Sequence, residues 1–305
     1  MKAIVVHQYG GPEVLKFEDF PDPAAKPAQV LVRVAAANVN PIDIKRRSGA
    51  AREFSPIQFP GILGADLAGT IASVAADVQG WKPGDLVMAY ANQTYAEFCA
   101  VAASTLVRIP AGMDVADAAA LPVVTTTGFQ IVSEGIAIKA GQTILVTGAI
   151  GSVGRSAVFT AKQRGARVIA AVRKKHLDAA ASLGADLVVP ADDDAALAKL
   201  PPLDAVADLV GGTLAEMLLP RVKTGGVFAS AVGLPASAGK FPSVKSFMFG
   251  ARPDAAALDH MGQAVAQGKL KIPISRKFPL KEAAAAHAAI ESGLGGKVLL
   301  LVKTA

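Results

Sequence analysis

A glycine-rich turn between two apolar segments constrains the fold of this chain more than any other feature. Residues 142–147 form a short β-branched run that predicts a buried parallel strand, and the sequence GAIGSVG follows at 148–154. Ser152 stands where a helix N-cap is expected, and Arg167–Val172 is a second apolar run. A strand, a glycine turn and a helix bring backbone amides and a helix dipole to one point. This arrangement is typical of a pyrophosphate site.

The turn departs at one position from the G-x-G-x-x-G fingerprint of dinucleotide-binding folds. Its first glycine is replaced by Ala149, whereas Gly151 and Gly154 occupy the other two glycine positions. A glycine fingerprint alone is weak evidence for dinucleotide binding. A fingerprint that lies between two strands, in a unit of about thirty residues, is a specific signal. A glycine-rich surface turn without a ligand is the alternative interpretation. The turn residues expected to contact a dinucleotide are Ala149, Ile150, Gly151, Ser152 and Val153.

The residues after the second strand indicate which dinucleotide binds. NAD-binding folds usually place an acidic residue about 20 positions past the turn, where it contacts the ribose 2′-hydroxyl. Here Arg173 and Lys174 occupy that place, and no carboxylate is expected nearby. A solvated charge run is the alternative, but cations at the start of a helix are unfavourable by about 0.3–1 kcal/mol each. A bound 2′-phosphate would compensate them, so the sequence predicts NADPH as the cofactor.

Composition and cysteine content narrow the class of protein. Of 305 residues, 52% are hydrophobic and 18% charged, which indicates a globular protein of two domains. The net charge of +6 is dispersed and aromatic residues make up only 5%, so we expect no nucleic-acid partner. One cysteine excludes an internal disulfide, and four scattered histidines predict no metal site. With neither a signal peptide nor a membrane span expected, the predicted location is cytoplasmic.

The order of apolar segments predicts an α/β fold. Residues 1–120 contain short strands separated by turns, which indicates a small β-rich domain. A helix is expected over 116–132, and strands then alternate with helices, which indicates a doubly wound parallel sheet. An apolar strand at 244–249 would lie at an edge of this sheet, where the same strand of a second subunit could pair with it. The last strand, 297–302, is expected to return to the N-terminal domain.

Short motifs occur along the whole chain in a fixed order. They are NVNPID at 38–43, LGADLAG at 63–69, WKPGD at 81–85, YAEF at 95–98, ALP at 120–122, the 147–154 turn, FPL at 278–280 and GKVL at 296–299. Together they resemble the zinc-independent quinone oxidoreductase (zeta-crystallin-like) branch of the medium-chain dehydrogenase/reductase superfamily. The resemblance implies a GroES-like catalytic and substrate domain, residues 1–121 and 253–305, and a Rossmann NADP(H)-binding domain, residues 122–252. It also implies NADPH and a homodimer built through the edge strand of the Rossmann sheet.

The resemblance also implies the site residues, position by position. Asn40 and Asp43 match the family's active-site Asn-Pro-x-Asp motif, at the mouth that faces the nicotinamide, and Asn40 is also expected to contact the cofactor. A capped turn is the alternative interpretation. Thr127 matches a threonine that contacts the nicotinamide, although Thr125 and Thr126 adjoin it. Lys297 matches a lysine that approaches the cofactor, with a surface charge as the alternative. The residues expected to line the cofactor, or else to belong to the sheet core and a loop, are Val210, Val232 and Leu234.

The chain departs from its expected relatives at two places. Gly64-Ala65-Asp66 stands where zinc-dependent relatives have Gly-His-Glu, and Lys45 lies where many quinone reductases carry tyrosines. Lys45 is either a helper for a substrate carbonyl or a solvated lysine. The expected function is metal-free hydride transfer from NADPH to a quinone or to the β-carbon of an α,β-unsaturated carbonyl. An NADPH-binding sensor or structural protein with little turnover is the alternative.

Overall fold

The structure, a computed structural model, describes residues 1–302. Within this range the strands are β1 Lys2–Val6, β2 Lys16–Asp19, β3 Gln29–Val39, β4 Gly61–Ile62, β5 Asp66–Val74, β6 Leu86–Tyr90, β7 Phe98–Ala102, β8 Leu106–Arg108, β9 Thr143–Thr147, β10 Arg167–Val172, β11 Leu187–Pro190, β12 Leu203–Asp208, β13 Val222–Ser230, β14 Lys245–Met248, β15 Ile274–Pro279 and β16 Lys297–Leu301. The α-helices there are α1 Pro41–Ser48, α2 Val115–Ala118, α3 Pro122–Gln130, α4 Ser152–Gln163, α5 Leu177–Ala180, α6 Asp194–Ala198, α7 Gly212–Leu218, α8 Ala255–Ala266 and α9 Ala283–Glu291.

The first of two compact units combines both ends of the chain, Met1–Val123 and the stretch that begins at Pro253. Its larger sheet has the order β15-β16-β3-β5-β6-β8, and β7 also pairs with β3. A smaller sheet has the order β2-β1-β4. β16 lies antiparallel to β3, so the last described strand belongs to the N-terminal unit, as predicted. A core of mostly valine, isoleucine and leucine side chains fills this unit.

The second unit, Val124–Arg252, is built on a six-stranded sheet of order β11-β10-β9-β12-β13-β14. All of its strand pairs are parallel. Neighbouring residues of β9 contribute to different cores: Ile144 and Val146 pack in one, and Leu145 packs in another. Because successive strand residues face opposite sides, helices can cover both faces of the sheet. The predicted α/β fold with a doubly wound sheet is therefore confirmed.

The helix expected over 116–132 is divided in the structure. α2 ends at Ala118 and α3 begins at Pro122, because proline lacks an N–H group and suits the first position of a helix. α3 then continues into a π-helical turn, Ile131–Ile136. Gly135 leaves room there for an aromatic ring, since an added Cβ would lie 2.8 Å from Phe249.

Val115–Ile136 is the one stretch of residues 1–302 that is long and apolar enough to cross a membrane. It meets this criterion by length and composition only, although Asp117 and Glu134 interrupt its apolar residues. However, 67% of the most apolar part is buried inside the structure, which is typical of a core helix.

Candidate functional site

The glycine turn follows the carboxyl end of β9 and is tightly folded. Gly148 has a φ of +58°, in the left-handed region, and its carbonyl oxygen accepts a hydrogen bond from the Gly151 amide at 2.9 Å. A Cβ added to Gly154 would lie 2.4 Å from the same carbonyl oxygen. Only glycine fits at position 154, because the first turn of α4 packs directly on the backbone of the glycine turn.

The N-terminus of α4 has no side-chain cap. Gly151 is the N-cap residue, so the prediction that Ser152 caps the helix is wrong. Ser152 is the first helical residue, and its carbonyl oxygen accepts a hydrogen bond from Ser156 Oγ at 3.0 Å. Within residues 1–302 no side chain bonds to the amides of this first turn. Because uncapped amides and the helix dipole favour an anion, the turn fits a pyrophosphate.

The predicted turn residues differ in exposure. Ala149 is fully buried, Ile150, Ser152 and Val153 are half-buried, and Gly151 is exposed. The buried methyl group of Ala149 packs in the core beneath the turn, which explains how alanine can replace the first glycine. The backbone from Ile150 to Val153 forms the accessible part of the turn.

Basic side chains are exposed where β10 ends. Arg173 and Lys174 both point into solvent, but the prediction that no carboxylate lies nearby is wrong. Asp192 Oδ1 accepts a hydrogen bond from the Lys174 backbone amide at 2.7 Å. The two residues meet because β10 and β11 are parallel neighbours, so their carboxyl ends lie at the same edge of the sheet. Asp192 holds the backbone of the basic segment and leaves both basic side chains exposed.

A buried hydrogen-bond network, not predicted from the sequence, joins the carboxyl ends of three neighbouring strands. Thr147 Oγ1 donates to Asp208 Oδ1 at 3.0 Å, and Ser230 Oγ donates to Asp208 Oδ2 at 2.7 Å. These residues end β9, β12 and β13, and all three are fully buried. The Gly211 amide also donates to Asp208 at 3.0 Å, and the Val232 amide donates to Ser230 Oγ at 3.2 Å. A polar residue at the end of each of three apolar strands is the signal that would have revealed it.

We expect Asp208→Ala to lower the free energy of unfolding by about 2–4 kcal/mol. The change leaves the Thr147 and Ser230 hydroxyls and the Gly211 amide without their common acceptor in a buried place, and each unsatisfied group costs about 1–3 kcal/mol. Urea unfolding of the purified protein measures the effect. Asp178→Ala, at an exposed carboxylate of the same unit, should change stability by less than about 0.5 kcal/mol. Equal effects of the two substitutions would contradict this role of Asp208.

Three apolar side chains lie just past the strand ends that this network holds. Val210 is 52% exposed, Val232 38% and Leu234 39%. All three lie outside the strands, so they are loop residues and not sheet core. A Cβ added to Gly148 would lie 3.1 Å from Val210, and one added to Gly211 would lie 3.0 Å from Val232. The exposed valines therefore contact glycines that leave the carboxyl edge of the sheet open.

Of the three neighbouring threonines on α3, only Thr127 has accessible surface. Thr125 and Thr126 are fully buried, whereas Thr127 is half-buried. The exposure therefore favours Thr127 as the threonine that can contact a ligand.

Neighbouring strands of the first unit bring together polar residues that are distant in sequence. β3 pairs with β5 so that Asn38 lies opposite Asp66, and β3 pairs with β16 so that Asn38 lies opposite Leu299. Lys297 begins β16, and Asn40 directly follows β3. This register assembles a buried group that we call the Asn40 cluster: Asn38, Asn40, Asp66 and Lys297.

Hydrogen bonds fix every side chain of the Asn40 cluster. Asp66 Oδ2 accepts from the amide groups of Asn38 and Asn40, each at 2.6 Å, and Asp66 Oδ1 accepts from the Val123 backbone amide at 2.6 Å. Asn40 Oδ1 accepts from Lys297 Nζ at 2.9 Å and from Asn38 Nδ2 at 3.1 Å. Asn40 thus links the lysine to the carboxylate, and both ends of its side chain are held.

Burial dominates the acid–base properties of the cluster. Lys297 is only 4% exposed, so its interpretation as a surface charge is wrong. Loss of water lowers the pKa of Lys297 to about 8, although the charges of Asp66 and Asp43 act to raise it. Burial raises the pKa of Asp66, and the charge of Lys297 opposes this rise. In the sequence Asp66 is only a difference from zinc-dependent relatives, and its place in the cluster follows from the strand register.

Asp43 lies in the first turn of α1, beside the cluster. Its Oδ2 accepts a hydrogen bond from the Asn40 backbone amide at 2.9 Å, which is the contact expected of a capped turn. Burial raises the pKa of Asp43 to about 6, and the hydrogen bond from Asn40 opposes the rise. Lys45, in the last turn, is half-buried, whereas Arg47 is buried and donates to Glu291 at 2.6 Å. Arg47 rather than Lys45 therefore anchors α1.

A cavity of about 380 Å³ in the first unit is lined by none of the cluster residues. Its two carboxylates are already engaged. Asp114 accepts from the Asp117 backbone amide at 3.0 Å and so caps α2, and Asp117 forms an ion pair with Lys277 at 2.5 Å. The polar groups of this cavity therefore serve the fold. Among residues 1–302, no group of three His, Cys, Asp or Glu side chains is arranged to hold a metal ion.

Two protein families match the chain. Residues 26–144 match the alcohol dehydrogenase GroES-like domain, and residues 183–300 match the zinc-binding dehydrogenase family. The chloroplast envelope quinone oxidoreductase homolog of Arabidopsis thaliana is 31% identical over 98% of this chain and 98% of its own length. The chloroplastic NADPH-dependent alkenal/one oxidoreductase of the same plant is also 31% identical, over 98% of this chain and 79% of its own.

Solved structures agree with these sequence relationships. The quinone oxidoreductase from Coxiella burnetii superposes with a TM-score of 0.88 at 32% identity, and the match covers 99% of both chains. The fold combines a GroES-like unit with a Rossmann-type parallel sheet, and relatives with such folds use a nicotinamide cofactor. The chain is therefore an oxidoreductase that belongs to the quinone oxidoreductase (zeta-crystallin-like) branch of the medium-chain dehydrogenase/reductase superfamily.

Proposed function

We propose that this oxidoreductase uses NADPH to reduce a quinone or the carbon–carbon double bond of an α,β-unsaturated carbonyl, without a metal. The observation that carries the proposal is the Asn40 cluster, a fixed set of buried hydrogen-bond donors in a chain that also has a dinucleotide turn. The names of two relatives, a quinone oxidoreductase homolog and an alkenal/one oxidoreductase, describe the same two acceptor classes. The two compact units would correspond to the GroES-like and NADP(H)-binding domains.

The second unit supplies the groups that a dinucleotide needs. The uncapped amides of α4 suit the pyrophosphate, and the backbone from Ile150 to Val153 is accessible to it. Exposed Arg173 and Lys174 suit the 2′-phosphate that distinguishes NADPH from NADH. The exposed apolar side chains at the sheet edge suit a planar ring, and they are Val210, Val232 and Leu234.

When bound, the nicotinamide supplies the hydride, and the residues of this chain place and polarise the acceptor. Negative charge grows on the acceptor oxygen and requires hydrogen-bond donors. The amide nitrogen of Asn40 carries two hydrogens, and Asp66 accepts one of them, so one remains for a ligand. We assign the same task to the Thr127 hydroxyl, assign Lys297 to the nicotinamide end of the cofactor and assign Asp43 to holding Asn40 through its backbone amide.

NADPH oxidation, followed by absorbance against a panel of quinones, enones and alkenals, tests the proposed function. Turnover with at least one acceptor class, and not in its absence, is the expected result. Tight NADPH binding without turnover on any acceptor would contradict the proposal and favour a sensor or structural protein.

We expect Arg173→Ala to weaken NADPH binding by roughly tenfold and to leave NADH binding within about twofold. The lost contact is charge-assisted and worth about 1.5–3 kcal/mol, and NADH lacks the phosphate that makes it. Fluorescence titration with both nucleotides measures the ratio. Arg167→Ala is a matched control, because Arg167 is an exposed arginine at the opposite end of β10. If Arg173→Ala leaves the preference for NADPH unchanged, the assignment of the 2′-phosphate is wrong.

We further propose a homodimer that pairs the 244–249 segment with its copy, and a cytoplasmic location. β14 is the edge strand of the six-stranded sheet within the described residues, and Met248 on it is 54% exposed. Met248→Lys introduces like charges at the paired edges, so a shift to monomer is expected. Light scattering after size exclusion measures the mass, and an unchanged dimer would place the interface elsewhere.

A further inference from the structure

Lys297 differs from the lysines whose ammonium groups form described ion pairs, because an amide oxygen rather than a carboxylate accepts its hydrogen bond. Its Nζ donates to Asn40 Oδ1 at 2.9 Å, and within residues 1–302 no carboxylate oxygen lies within 4.0 Å of it. The exposed pairs Lys2–Asp19 and Lys162–Asp186 are direct contacts of 2.9 and 2.8 Å. Lys297 is thus a buried ammonium group without a direct counter-ion.

The Asn40 amide separates Lys297 from the nearest buried carboxylate. It accepts from the lysine with Oδ1 and donates to Asp66 with Nδ2 at 2.6 Å. A direct ion pair would stabilise the charged lysine and hold its proton. The interposed amide fixes the position of the ammonium group and leaves it acidic, with burial lowering its pKa to about 8.

We propose that Lys297 is the proton donor that completes the reduction, an inference that rests on the proposed function. Addition of the hydride that the bound cofactor would supply forms a C–H bond at the β-carbon. The π electrons of the carbon–carbon double bond become a double bond between the α-carbon and the carbonyl carbon, and the carbonyl π electrons move to oxygen, which leaves an enolate. An N–H bond of the Lys297 ammonium then breaks, the enolate electron pair and this proton form the C–H bond at the α-carbon, and the carbonyl forms again. The neutral amine takes a proton back from water. For a quinone, the same proton would complete one hydroxyl of the hydroquinone.

The groups around Lys297 leave it free to act at neutral pH. Asp66 on β5 and Asp43 on α1 are the carboxylates whose charges reach it, and burial raises the pKa of both, that of Asp43 to about 6. Burial also raises the pKa of Tyr90, on which the charges of the same two carboxylates act, to about 12. Burial lowers the pKa of Lys297 to about 8, so this ammonium group loses its proton within the range that a pH profile covers. The protonated lysine is the active form, so turnover is present below pH 8 and lost as pH rises through it.

Lys297→Met and Lys297→Arg test the proposal with NADPH and an α-methyl enone, whose product has a stereocentre at the protonated carbon. In the wild type, kcat should fall as pH rises through about 8, and one enantiomer should be in excess. Lys297→Met should lower kcat by roughly tenfold or more and abolish the fall of kcat near pH 8. It should also reduce the enantiomeric excess of the product, because water then protonates either face of the α-carbon. Lys297→Arg should move the fall of kcat to above pH 10, since a guanidinium group keeps its proton. Lys281→Met, at an exposed lysine of the same unit, should match the wild type.

A second measurement needs neither cofactor nor turnover. Carbon-13 NMR of the protein labelled at lysine Cε should show one lysine with a midpoint near pH 8, and this signal should be missing in Lys297→Met. An unchanged pH profile and enantiomeric excess in an active Lys297→Met would overturn the proton donor and leave the proposed function intact. A Lys297 midpoint near the ordinary value of about 10.4 would also overturn it. A wild type that reduces no acceptor would overturn the proposed function itself, and the proton donor with it.

Discussion

Gly154→Ala is expected to weaken NADPH binding by about a hundredfold. The added Cβ would lie 2.4 Å from the Gly148 carbonyl oxygen and 2.7 Å from Ala149 Cα, and both are backbone atoms that cannot rotate away. Overpacking of this kind costs about 1–3 kcal/mol, and about 1.4 kcal/mol corresponds to a factor of ten in affinity. The first turn of α4 must therefore move off the glycine turn, and its amides no longer converge on the pyrophosphate.

Fluorescence titration with NADPH measures this loss, and thermal unfolding measures the accompanying strain. Gly239→Ala is the control, because no atom lies within 4 Å of a Cβ added there and Gly239 belongs to the same unit. We expect its affinity to stay within about twofold of the wild type. Retention of full NADPH affinity in a folded Gly154→Ala would show that the turn does not hold the dinucleotide.

Asn40→Ala is expected to lower kcat by about a hundredfold while NADPH affinity changes by less than about threefold. Removal of one donor to a developing oxyanion typically costs 10²–10³ in kcat, roughly 2.7–4 kcal/mol. The substitution also removes the acceptor of the Lys297 ammonium and one donor to Asp66. Both the polarisation of the acceptor and the position of the lysine are therefore lost together.

Steady-state kinetics with a saturating acceptor and a separate NADPH titration distinguish the two effects. Asn92→Ala is the control in the same unit, since the Asn92 side chain is exposed and its described contact is made by the backbone carbonyl. Parallel losses of turnover and NADPH affinity in Asn40→Ala would count against a role in the chemical step. Circular dichroism and thermal unfolding confirm that the variant is folded.

Local patterns predicted the first two strands of the second unit. The apolar run at 142–147 matches β9 to within one residue, and Arg167–Val172 matches β10 at both ends, because buried parallel strands read as continuous β-branched segments. The glycine turn was also predictable, since close packing of α4 requires glycine at a fixed position. Ser152 was misassigned by one residue as the N-cap, because serine is a frequent cap and Gly151 can take the same extended backbone conformation.

The contacts of the Asn40 cluster could not be predicted from local patterns. The family resemblance identified Asn40 and Lys297 as site residues. Their hydrogen bond, however, depends on the pairing of β3 with β16, and the two residues are 257 positions apart in the sequence. Strand pairing between distant segments has no signature in either segment alone. The burial of Lys297 follows from the same pairing, so a lysine that resembles a surface charge in sequence is enclosed in the structure.

The buried carboxylate of Asp208 has a consequence for protein engineering. It accepts hydrogen bonds from the Thr147 and Ser230 hydroxyls and from the Gly211 amide, and Ser230 Oγ in turn accepts from the Val232 amide. The backbone of the loops after β12 and β13 is therefore anchored to this network. The side chains of Val210 and Val232 can then be exchanged while the sheet edge keeps its shape. A library restricted to these two positions would explore new ring-binding surfaces on a constant scaffold, with Asp208 kept unchanged.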